Sequence, residues 1–461
     1  MSMTNLEQSD PKVFAIIKRE ARRQKETLSM IPSENFFSPA VREAVGSVFM
    51  HKYTEGNIGR RYYEGCEIAD ALEELALERA RQAFRLPGTW DANVQALSGS
   101  NANQAVYLAL LQPGDTILSM YLPDGGHLSH GWSYEPSLPS PAEEPVYRGG
   151  SRKVNITSRL YRVVQYKTDP ATQQFDYDQI EQIARQEKPK LLITGGTAYP
   201  RLIDHARMRA IADAVGAYYL ADIAHEAGLI AAGVLPTPVG VADVVTLTTH
   251  KTLRAGRGAI ILASRELIKK IDRAVLPGLQ GGPHMHNIAG VCAGLGEAVT
   301  DEFRVYAQAV LDNTRELAQG LIEQGFRLVT GGGDKHLLLI DLRDQPLLGR
   351  PYARALAAAG IVANYNTMPQ ETRSPLDPSA LRVGTPHSTG RGMRAAEMVQ
   401  IAGWMREVME AAASWQEMKF EAFDEAARQS PDLQRIAVAV RELCVRFPLP
   451  LSAFAVTEGV H

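Results

Sequence analysis

The chain has 461 residues, with 49 lysines and arginines against 52 aspartates and glutamates, which gives a formal net charge of -3. This length exceeds the size at which a single hydrophobic core usually stops growing, so we expect two domains. The near balance of charge argues against a nucleic-acid-binding or membrane-surface protein. The cysteines, Cys66, Cys292 and Cys444, are odd in number and far apart, which argues against a disulfide framework or a clustered metal site and fits a reducing compartment.

The first ten residues contain neither the basic start nor the apolar core of a signal peptide. No stretch approaches the roughly 18 consecutive apolar residues of a membrane-spanning helix. We therefore expect a soluble, cytoplasmic protein. Residues 11–27 have helical spacing, and residues 30–35 (Met-Ile-Pro-Ser-Glu-Asn) interrupt it, which predicts an N-terminal arm over residues 1–50.

Short apolar runs alternate with helical segments from about residue 68 to residue 263. The runs at 116–120, 191–194 and 218–221 lack polar alternation, as expected of strands that are covered on both faces. This alternation predicts a mainly parallel sheet between helical layers, in a large domain over residues 51–305.

The pattern changes in two places. A helical tract over about residues 286–325 precedes strand-like runs at 326–329 and 336–341, which predicts a smaller C-terminal α/β domain over residues 306–461. Residues 134–160 are crowded with prolines and glycines and contain few apolar runs, so we expect an irregular surface excursion there.

Lys251 follows a short apolar run, residues 242–247, and lies among hydroxyls and an imidazole in the segment Thr-Thr-His-Lys-Thr. A lysine amine is mostly protonated near neutrality unless it is desolvated or lies near other positive charge. Arg254 and Arg257 could supply that charge. The segment therefore fits an amine that reacts with a carbonyl group, and it fits equally a surface lysine at a strand end.

Two small-residue segments suit a phosphate group. Ser98, Gly99 and Ser100 precede a helical stretch, where backbone N–H groups are unpaired and favour an anion. Gly281 and Gly282 would also expose backbone N–H groups. Each segment has a simpler interpretation, as a helix N-cap for the first and as a plain turn for the second.

Three further side chains suggest a ligand site. Asp222 ends a buried run, where a carboxylate at the C-terminal end of a parallel strand faces the ligand crevice; opposite a pyridine nitrogen it would keep the ring protonated. His127 follows two glycines and could approach a flat ring. Arg382 lies in an apolar strand and could bind a substrate carboxylate. The alternatives are an N-cap aspartate, a structural histidine and an arginine paired with an acidic side chain.

From about residue 30 to residue 445, the chain resembles serine hydroxymethyltransferase, a pyridoxal-phosphate enzyme family of the aspartate-aminotransferase fold type. The resemblance implies fold type I: a mainly parallel seven-stranded sheet in a three-layer large domain, followed by a smaller C-terminal α/β domain. The matching segments, in chain order, are residues 31–35, 52–56, 61–63, 92–95, 98–100 and 125–127, Asp222 with His225, and residues 248–253, 280–283 and 382–386.

The resemblance also implies cofactor roles. Lys251 would carry pyridoxal 5'-phosphate as an internal aldimine, Asp222 would pair with the ring nitrogen, His127 would stack on the ring, and His225 would lie near the phenolic oxygen. Because the Gly-Gly segment reaches a neighbouring subunit's cofactor in this family, a homodimer or dimer of dimers with shared active sites is implied. The other implied cofactor contacts are Tyr53, Ser98, Gly99, Ser100, Thr197, His250, Arg257, Gly281 and Gly282.

The implied reaction is the reversible conversion of L-serine and tetrahydrofolate to glycine and 5,10-methylenetetrahydrofolate. By resemblance, Ser33, Tyr63 and Arg382 would bind the amino acid, and Glu55 would transfer a proton between the substrate hydroxyl and folate. Residues that match the folate-site positions are Glu55, Leu122, Leu128 and Asn366. No metal ion is implied.

The chain differs from the family pattern at several positions near these residues. Thr197 replaces the usual serine, Asp124 and Tyr365 flank implied folate contacts, and Glu226 occupies a position that is usually aliphatic. Two other functions therefore stay open: a folate-independent pyridoxal-phosphate aldolase or transaldolase that acts on β-hydroxy amino acids, and a catalytically silent binding or regulatory paralogue.

Overall fold

The computed structural model describes residues 4–135 and 144–450. Its largest sheet has eight strands, in a large α/β unit as predicted. The predicted strands at 116–120 and 191–194 are confirmed, and the strand predicted at 218–221 extends one residue further, to Asp222. In spatial order, the strands are Trp90–Asn93, Ala259–Ser264, Val244–Thr248, Tyr218–Asp222, Leu191–Thr194, Thr116–Met120, Arg162–Tyr166 and Val146–Tyr147.

The count of eight corrects the seven strands that were expected. The additional strand, Val146–Tyr147, pairs antiparallel with Arg162–Tyr166 at the sheet edge, inside the stretch predicted to be irregular. Two residues are too few to show strand periodicity, and only the pairing with a long neighbour defines them. Of the predicted excursion over residues 134–160, residues 136–143 lie outside the described residues.

Alternate residues of the central strands enter different hydrophobic clusters, because successive side chains in a strand point to opposite faces. Leu118 and Leu192 belong to one cluster, whereas Ile117 and Leu191 belong to another. Both faces of the sheet are therefore buried, which confirms the three-layer arrangement and explains why these strands lack polar alternation. Four of the seven strand pairings are parallel.

Helices cover both faces of this sheet and the small domain. The helical segments predicted from about residue 68 onward begin with the helix Glu67–Ala83. The α-helices are Thr4–Ser9, Pro11–Glu26, Pro39–Val45, Glu67–Ala83, Gly99–Leu110, Ile156–Leu160, Tyr177–Glu187, His205–Val215, Ala227–Ala231, Arg265–Arg273, Met285–Ala298, Asp301–Glu323, Gly349–Ala358, Pro386–Gly390, Ala395–Ala412, Phe420–Gln429 and Pro431–Arg446.

The C-terminal part contains a four-stranded antiparallel sheet and its own hydrophobic cluster. In spatial order, its strands are Arg327–Leu328, Leu337–Asp341, Ala380–Gly384 and Asn364–Asn366. Three short pairings complete the strands: Leu28–Ser29 with Ile361–Val362, Gly56–Asn57 with Arg60–Arg61, and Ser133–Tyr134 with Arg152–Lys153.

One helix belongs to both hydrophobic clusters. In Asp301–Glu323, Val310 packs in the large cluster, whereas Leu317 packs in the small one. The predicted boundary at residue 305 falls inside this helix, and the division of the chain there stays a prediction. Leu28 of the arm also packs in the small cluster. In the two described ranges, no helix is long and apolar enough to cross a membrane.

Candidate active site

The ends of neighbouring parallel strands bring the main candidate residues to one edge of the large sheet. Asp222 ends the strand Tyr218–Asp222, and Thr248 ends the adjacent strand, three residues before Lys251. A glycine is required beside them, because a Cβ at Gly195 would collide with the backbone oxygen of Asp222. Asp222 and Lys251 therefore meet at the edge where α/β proteins bind ligands.

Asp222 is buried and held by three hydrogen-bond donors. Its Oδ2 interacts with His130 Nε2 at 3.0 Å and accepts from Asn103 Nδ2 at 2.9 Å, and its Oδ1 accepts from the backbone N–H of Ala224 at 3.0 Å. Burial alone would raise the pKa of this carboxyl group, but the bond from His130 and the other donors hold the pKa well below its usual range. Asp222 is therefore a permanent anion at neutral pH, which suits a partner for a protonated pyridine nitrogen.

Sequence reasoning missed Asn103 and His130. Asn103 lies one helical turn after Gly99 in Gly99–Leu110, and its Oδ1 accepts a 2.7 Å hydrogen bond from Thr246 Oγ1. His130 follows His127 by three residues in a short turn. The sequence offers only one hint at Asn103 and His130: they lie a few residues after Gly99 and His127, which were already candidates.

Lys251 is partly buried, and its backbone oxygen accepts a 3.0 Å hydrogen bond from Asn35 of the arm. Burial lowers the pKa of the Lys251 amine, and Arg382 and Arg257 lower it further, against the opposing effect of Asp222. The side chain is thus unlike the freely solvated surface lysine that the sequence left open. A larger fraction of its amine is unprotonated and nucleophilic near neutrality than for an ordinary lysine.

The histidines near Lys251 are neutral. Burial lowers the pKa of His127 to about 4, and the backbone N–H of Ser129 donates to His127 Nδ1 at 3.2 Å, which leaves the ring proton on Nε2. Burial holds the pKa of His225 well below its usual value, and the His225 ring stacks on His336 with 5.4 Å between centroids. His336 was not singled out from the sequence. Neutral, flat imidazoles suit contact with an aromatic ring.

The predicted phosphate segment lies against the lysine segment. Ser98 caps the helix Gly99–Leu110, accepting from the backbone N–H of Asn101 at 3.4 Å. A Cβ at Gly99 would lie 2.7 Å from Thr248 Cγ2, so only glycine fits there without displacing Thr248. Ser100, in the first turn, is exposed. The start of this helix therefore lies against Thr248, three residues before Lys251, and a helix start suits an anion.

His250 and Arg257 lie together in the cavity that Lys251 also lines. Arg257, which is exposed, donates from Nη2 to His250 Nε2 at 3.3 Å. Burial lowers the pKa of His250 to about 3, with a further contribution from Arg257. Ser33, His250, Lys251 and Arg257 line a cavity of about 740 Å³, a volume typical of small-molecule sites.

Arg382 is buried without a carboxylate partner anywhere in residues 4–135 and 144–450, so the acidic partner that the sequence left open is not found there. Its Nε donates to Asn364 Oδ1 at 3.0 Å, and its Nη1 donates to the backbone oxygen of Thr197 at 2.6 Å. Burial lowers the pKa of the guanidinium to about 10, so the group is still charged at neutral pH. An uncompensated buried cation at this position favours an anionic ligand.

Thr197 contributes through its main chain. Its backbone N–H donates to the Gly125 oxygen at 2.7 Å, while its own oxygen accepts from Arg382. The tight packing of Gly196 on Gly125, where a Cβ would collide with the Gly125 oxygen, brings the Thr197 and His127 segments together.

Five other predicted residues form a second group, which is exposed at Tyr53, Tyr63 and Gly281 and partly buried at Glu55 and Gly282. Tyr63 Oη donates to Glu55 Oε2 at 3.4 Å, and a Cβ at Gly281 would lie 3.2 Å from Glu55 Oε1. The rings of Tyr53 and Tyr63 are 5.7 Å apart, with exposed fractions of 63% and 44%. Within the part of the chain that the structure describes, none of the five hydrogen-bonds to Lys251, Asp222 or Arg382.

The implied folate positions lie at the surface of the large and small domains. Leu122 is partly buried, Leu128 is exposed, and Asn366 donates to the Thr367 oxygen at 2.6 Å. Asp124, which departs from the family pattern, is buried and accepts from the N–H and hydroxyl of Thr168 at 2.8 and 3.0 Å. The Asp124 carboxylate is thus hydrogen-bonded inside the protein.

The fold and the site define a fold type I pyridoxal-phosphate enzyme. The residues present fit this cofactor: a partly buried amine, a permanent anion for a ring nitrogen, a neutral imidazole and a helix start for a phosphate, contributed by Lys251, Asp222, His127 and the segment of residues 98–100.

Comparisons with known proteins give the family. The family model of serine hydroxymethyltransferase matches residues 6–405. The chain is 47% identical to the serine hydroxymethyltransferase of Acidothermus cellulolyticus and 48% identical to that of Sorangium cellulosum, with 96% of both chains covered in each case. It is 50% identical to that of Alkalilimnicola ehrlichii over 87% of this chain and 91% of the relative. The chain therefore belongs to the serine hydroxymethyltransferase family.

Proposed function

We propose that this chain catalyses the reversible conversion of L-serine and tetrahydrofolate to glycine and 5,10-methylenetetrahydrofolate, with pyridoxal phosphate carried on Lys251. The observation that carries this proposal is the buried cation of Arg382, which has no carboxylate partner in the described ranges and belongs to the same site as Lys251. A cofactor amine and an unpaired guanidinium side by side suit an amino-acid substrate, whose carboxylate pairs with the guanidinium.

The bound cofactor supplies an electron sink for the carbon from which a bond is broken. The residues of the chain bind the cofactor and orient the substrate. Asp222, which stays ionised, would pair with the ring nitrogen, the neutral His127 would contact the ring without adding charge, and residues 98–100 would hold the phosphate. Arg382 orients the amino acid by its carboxylate, which fixes the bond that lies next to the cofactor.

Glu55 and Tyr63 belong to the second group, which we assign to the active site of a second copy of the chain. Support comes from the apolar surface beside them, where Val48, Met50 and Tyr62 are 78%, 64% and 75% exposed. Such a patch on a soluble enzyme indicates an interface. The assembly is then a homodimer or a dimer of dimers, and each site receives Tyr53, Glu55, Tyr63, Gly281 and Gly282 from its neighbour.

In the assembled site, Glu55 moves the proton between the substrate hydroxyl and tetrahydrofolate. Leu122, Leu128 and Asn366 form the folate surface. The inward-facing Asp124 supports this assignment, because its charge is removed from that surface. We also propose a cytoplasmic location, which the three free and buried cysteines support.

One assay tests the proposal against the aldolase alternative. Purified protein with pyridoxal phosphate is given L-serine, with and without tetrahydrofolate, and glycine is measured. Glycine formation that depends on tetrahydrofolate is expected. Equal turnover in both conditions would favour the folate-independent aldolase, and a protein that develops no visible absorbance band with the cofactor would favour a silent paralogue.

A further inference from the structure

Glu226 and Lys335 form a buried ion pair between the two domains. The Glu226 carboxylate accepts from Lys335 Nζ, and the two side chains are 10% and 4% exposed. Glu226 directly follows His225, and Lys335 directly precedes His336. Since His225 Nδ1 and His336 Nε2 also hydrogen-bond, at 3.2 Å, two consecutive side-chain contacts join the same two segments.

Each segment leads directly to a residue of the active site. Asp222 lies four residues before Glu226, and these two residues and Lys335 line one small cavity. On the other side, the strand that begins two residues after Lys335 pairs with the strand that carries Arg382. The ion pair thus connects the side of the site that faces the cofactor ring to the side that binds the substrate carboxylate.

The charges need an explanation beyond stability. A buried ion pair is often no more stabilising than two apolar side chains of similar volume, although loss of one partner is costly. The Glu226 carboxylate therefore balances the charge of Lys335. Without it, the Lys335 ammonium would be a further cation beside Arg382 and Lys251.

We propose that Glu226 and Lys335 are positioning residues of the active site. Their ion pair holds the strand of Arg382 at a fixed distance from Asp222 and Lys251, and their opposite charges act in opposite directions on the electrostatic field at the Lys251 amine. This inference rests on the proposed function, in which Lys251 carries the cofactor.

The groups that act on the Lys251 amine are defined. Burial lowers its pKa most; Asp222 and Glu226 raise it, whereas Arg382 and Arg257 lower it. Lys335 contributes to the low pKa of His336, the ring that hydrogen-bonds to His225. The neighbouring imidazoles have low pKa values, chiefly because of burial, and are neutral: His127, His225, His250 and His336.

The test uses cofactor-loaded enzyme and three variants: Glu226→Gln, Lys335→Met and the double variant E226V/K335M. The readout is the pH titration of the cofactor's visible absorbance band. We expect Glu226→Gln, which leaves a cation, to move the midpoint to lower pH, and Lys335→Met, which leaves an anion, to move it to higher pH, each by on the order of half a pH unit or more. The double variant should lie near the wild type.

Thermal unfolding and serine affinity are measured in parallel. Both single variants should unfold at lower temperature and bind serine several-fold more weakly, and the double variant should recover most of the loss. The matched control is Asp334→Asn, which breaks a more exposed ion pair with Arg201 between the same domains, at 2.8 Å, and should leave the titration unchanged.

The inference would be overturned if the titration midpoints of the two single variants shifted in the same direction, or if stability fell while neither midpoint shifted. Either result would leave a purely structural ion pair. A double variant that is as impaired as the single variants would overturn it as well. If wild-type protein develops no visible band, the proposed function fails instead, so the two failures are distinguishable.

Discussion

Arg382 of the small domain donates a 2.6 Å hydrogen bond from Nη1 to the backbone oxygen of Thr197 in the large domain. The guanidinium that we assign to the substrate carboxylate is therefore aligned by the main chain of the domain that holds the proposed cofactor residues. Because Asn364 fixes Nε at 3.0 Å, the planar group has one defined orientation before substrate arrives. Such preorganisation reduces the entropy lost on binding.

Replacing Arg382 should therefore abolish amino-acid binding and spare the cofactor. We expect Arg382→Ala to weaken serine binding by about 30-fold or more, since loss of one partner of a buried charge pair costs roughly 2–5 kcal/mol. Serine affinity is measured from the change in cofactor absorbance. The matched control is Arg373→Ala, which removes an exposed arginine of the same domain. Unchanged serine affinity in Arg382→Ala would contradict the assignment.

A methyl group at Gly99 should impair cofactor binding through Thr248. The new Cβ would lie 2.7 Å from Thr248 Cγ2, and overpacking of this kind typically costs about 1–3 kcal/mol. We expect Gly99→Ala to weaken pyridoxal-phosphate affinity by roughly 10- to 100-fold, as measured by equilibrium dialysis. Thr248→Ser removes the methyl group that collides, so G99A/T248S should recover most of the affinity. No recovery in the double variant would rule out this steric explanation.

Two inactive variants should restore activity when their subunits are mixed. Lys251→Ala lacks the proposed cofactor amine. Glu55→Gln lacks the proposed proton-transfer group, which we assign to the neighbour's site. A hybrid dimer then has one site with both defects and one intact site. After dissociation and random reassociation, about a quarter of wild-type activity should return.

The control for this mixing experiment is K251A/E55Q, with both changes in one chain, treated in the same way with Lys251→Ala. That mixture contains no intact site and should stay inactive. Recovery limited to the first mixture supports shared sites, whereas no recovery in either mixture argues that Glu55 acts on Lys251 of its own chain.

Acid should destabilise the protein through its buried histidines. Burial lowers the pKa of His127 and His205 to about 4, and that of His250 and His387 to about 3. In the unfolded chain these groups titrate near the ordinary value of 6.5. As pH falls below about 6.5, the unfolded chain therefore takes up protons that the folded protein does not, and the free energy of unfolding decreases.

Two carboxyl groups oppose this trend. Burial raises the pKa of Asp124 and Asp272 to about 6, so below that pH the folded protein keeps protons that the unfolded chain releases. His225 and His336, whose pKa values burial also holds well below the usual value, act with these four histidines, so the histidines outnumber the two carboxyl groups and the net effect near pH 5 is a loss of stability. Denaturant titrations at about pH 7.5, 6 and 5 check the sign, and greater stability at the lowest pH would refute it.

The central strands and the lysine segment could be predicted from the sequence because their signals are local. A strand buried on both faces is a continuous apolar run, and its last residue, such as Asp222, marks the ligand edge of a parallel sheet. Lys251, Arg382 and the helix start at Gly99 follow from the same reasoning.

Other parts of the site depend on contacts between distant segments. His130, Asn103 and His336 have no distinguishing local pattern, and the structure brings them to Asp222 and His225 through tertiary packing. The edge strand Val146–Tyr147 was missed for the same reason, since its pairing with Arg162–Tyr166 defines it. Whether Lys335 faced a carboxylate could not be read from sequence either, because Glu226 lies more than a hundred residues earlier.

The pairing of Leu28–Ser29 with Ile361–Val362 has a consequence for synthesis of the protein. Leu28 leaves the ribosome early, but its partner strand and the rest of its hydrophobic cluster, which extends to Cys444, are made last. Leu28 and Met30, which end up fully buried, therefore lack most of their native neighbours until the C-terminal part of the chain has been made. Fragments truncated after the large domain should aggregate through this arm, and a chaperone that holds the first thirty residues would protect the nascent chain.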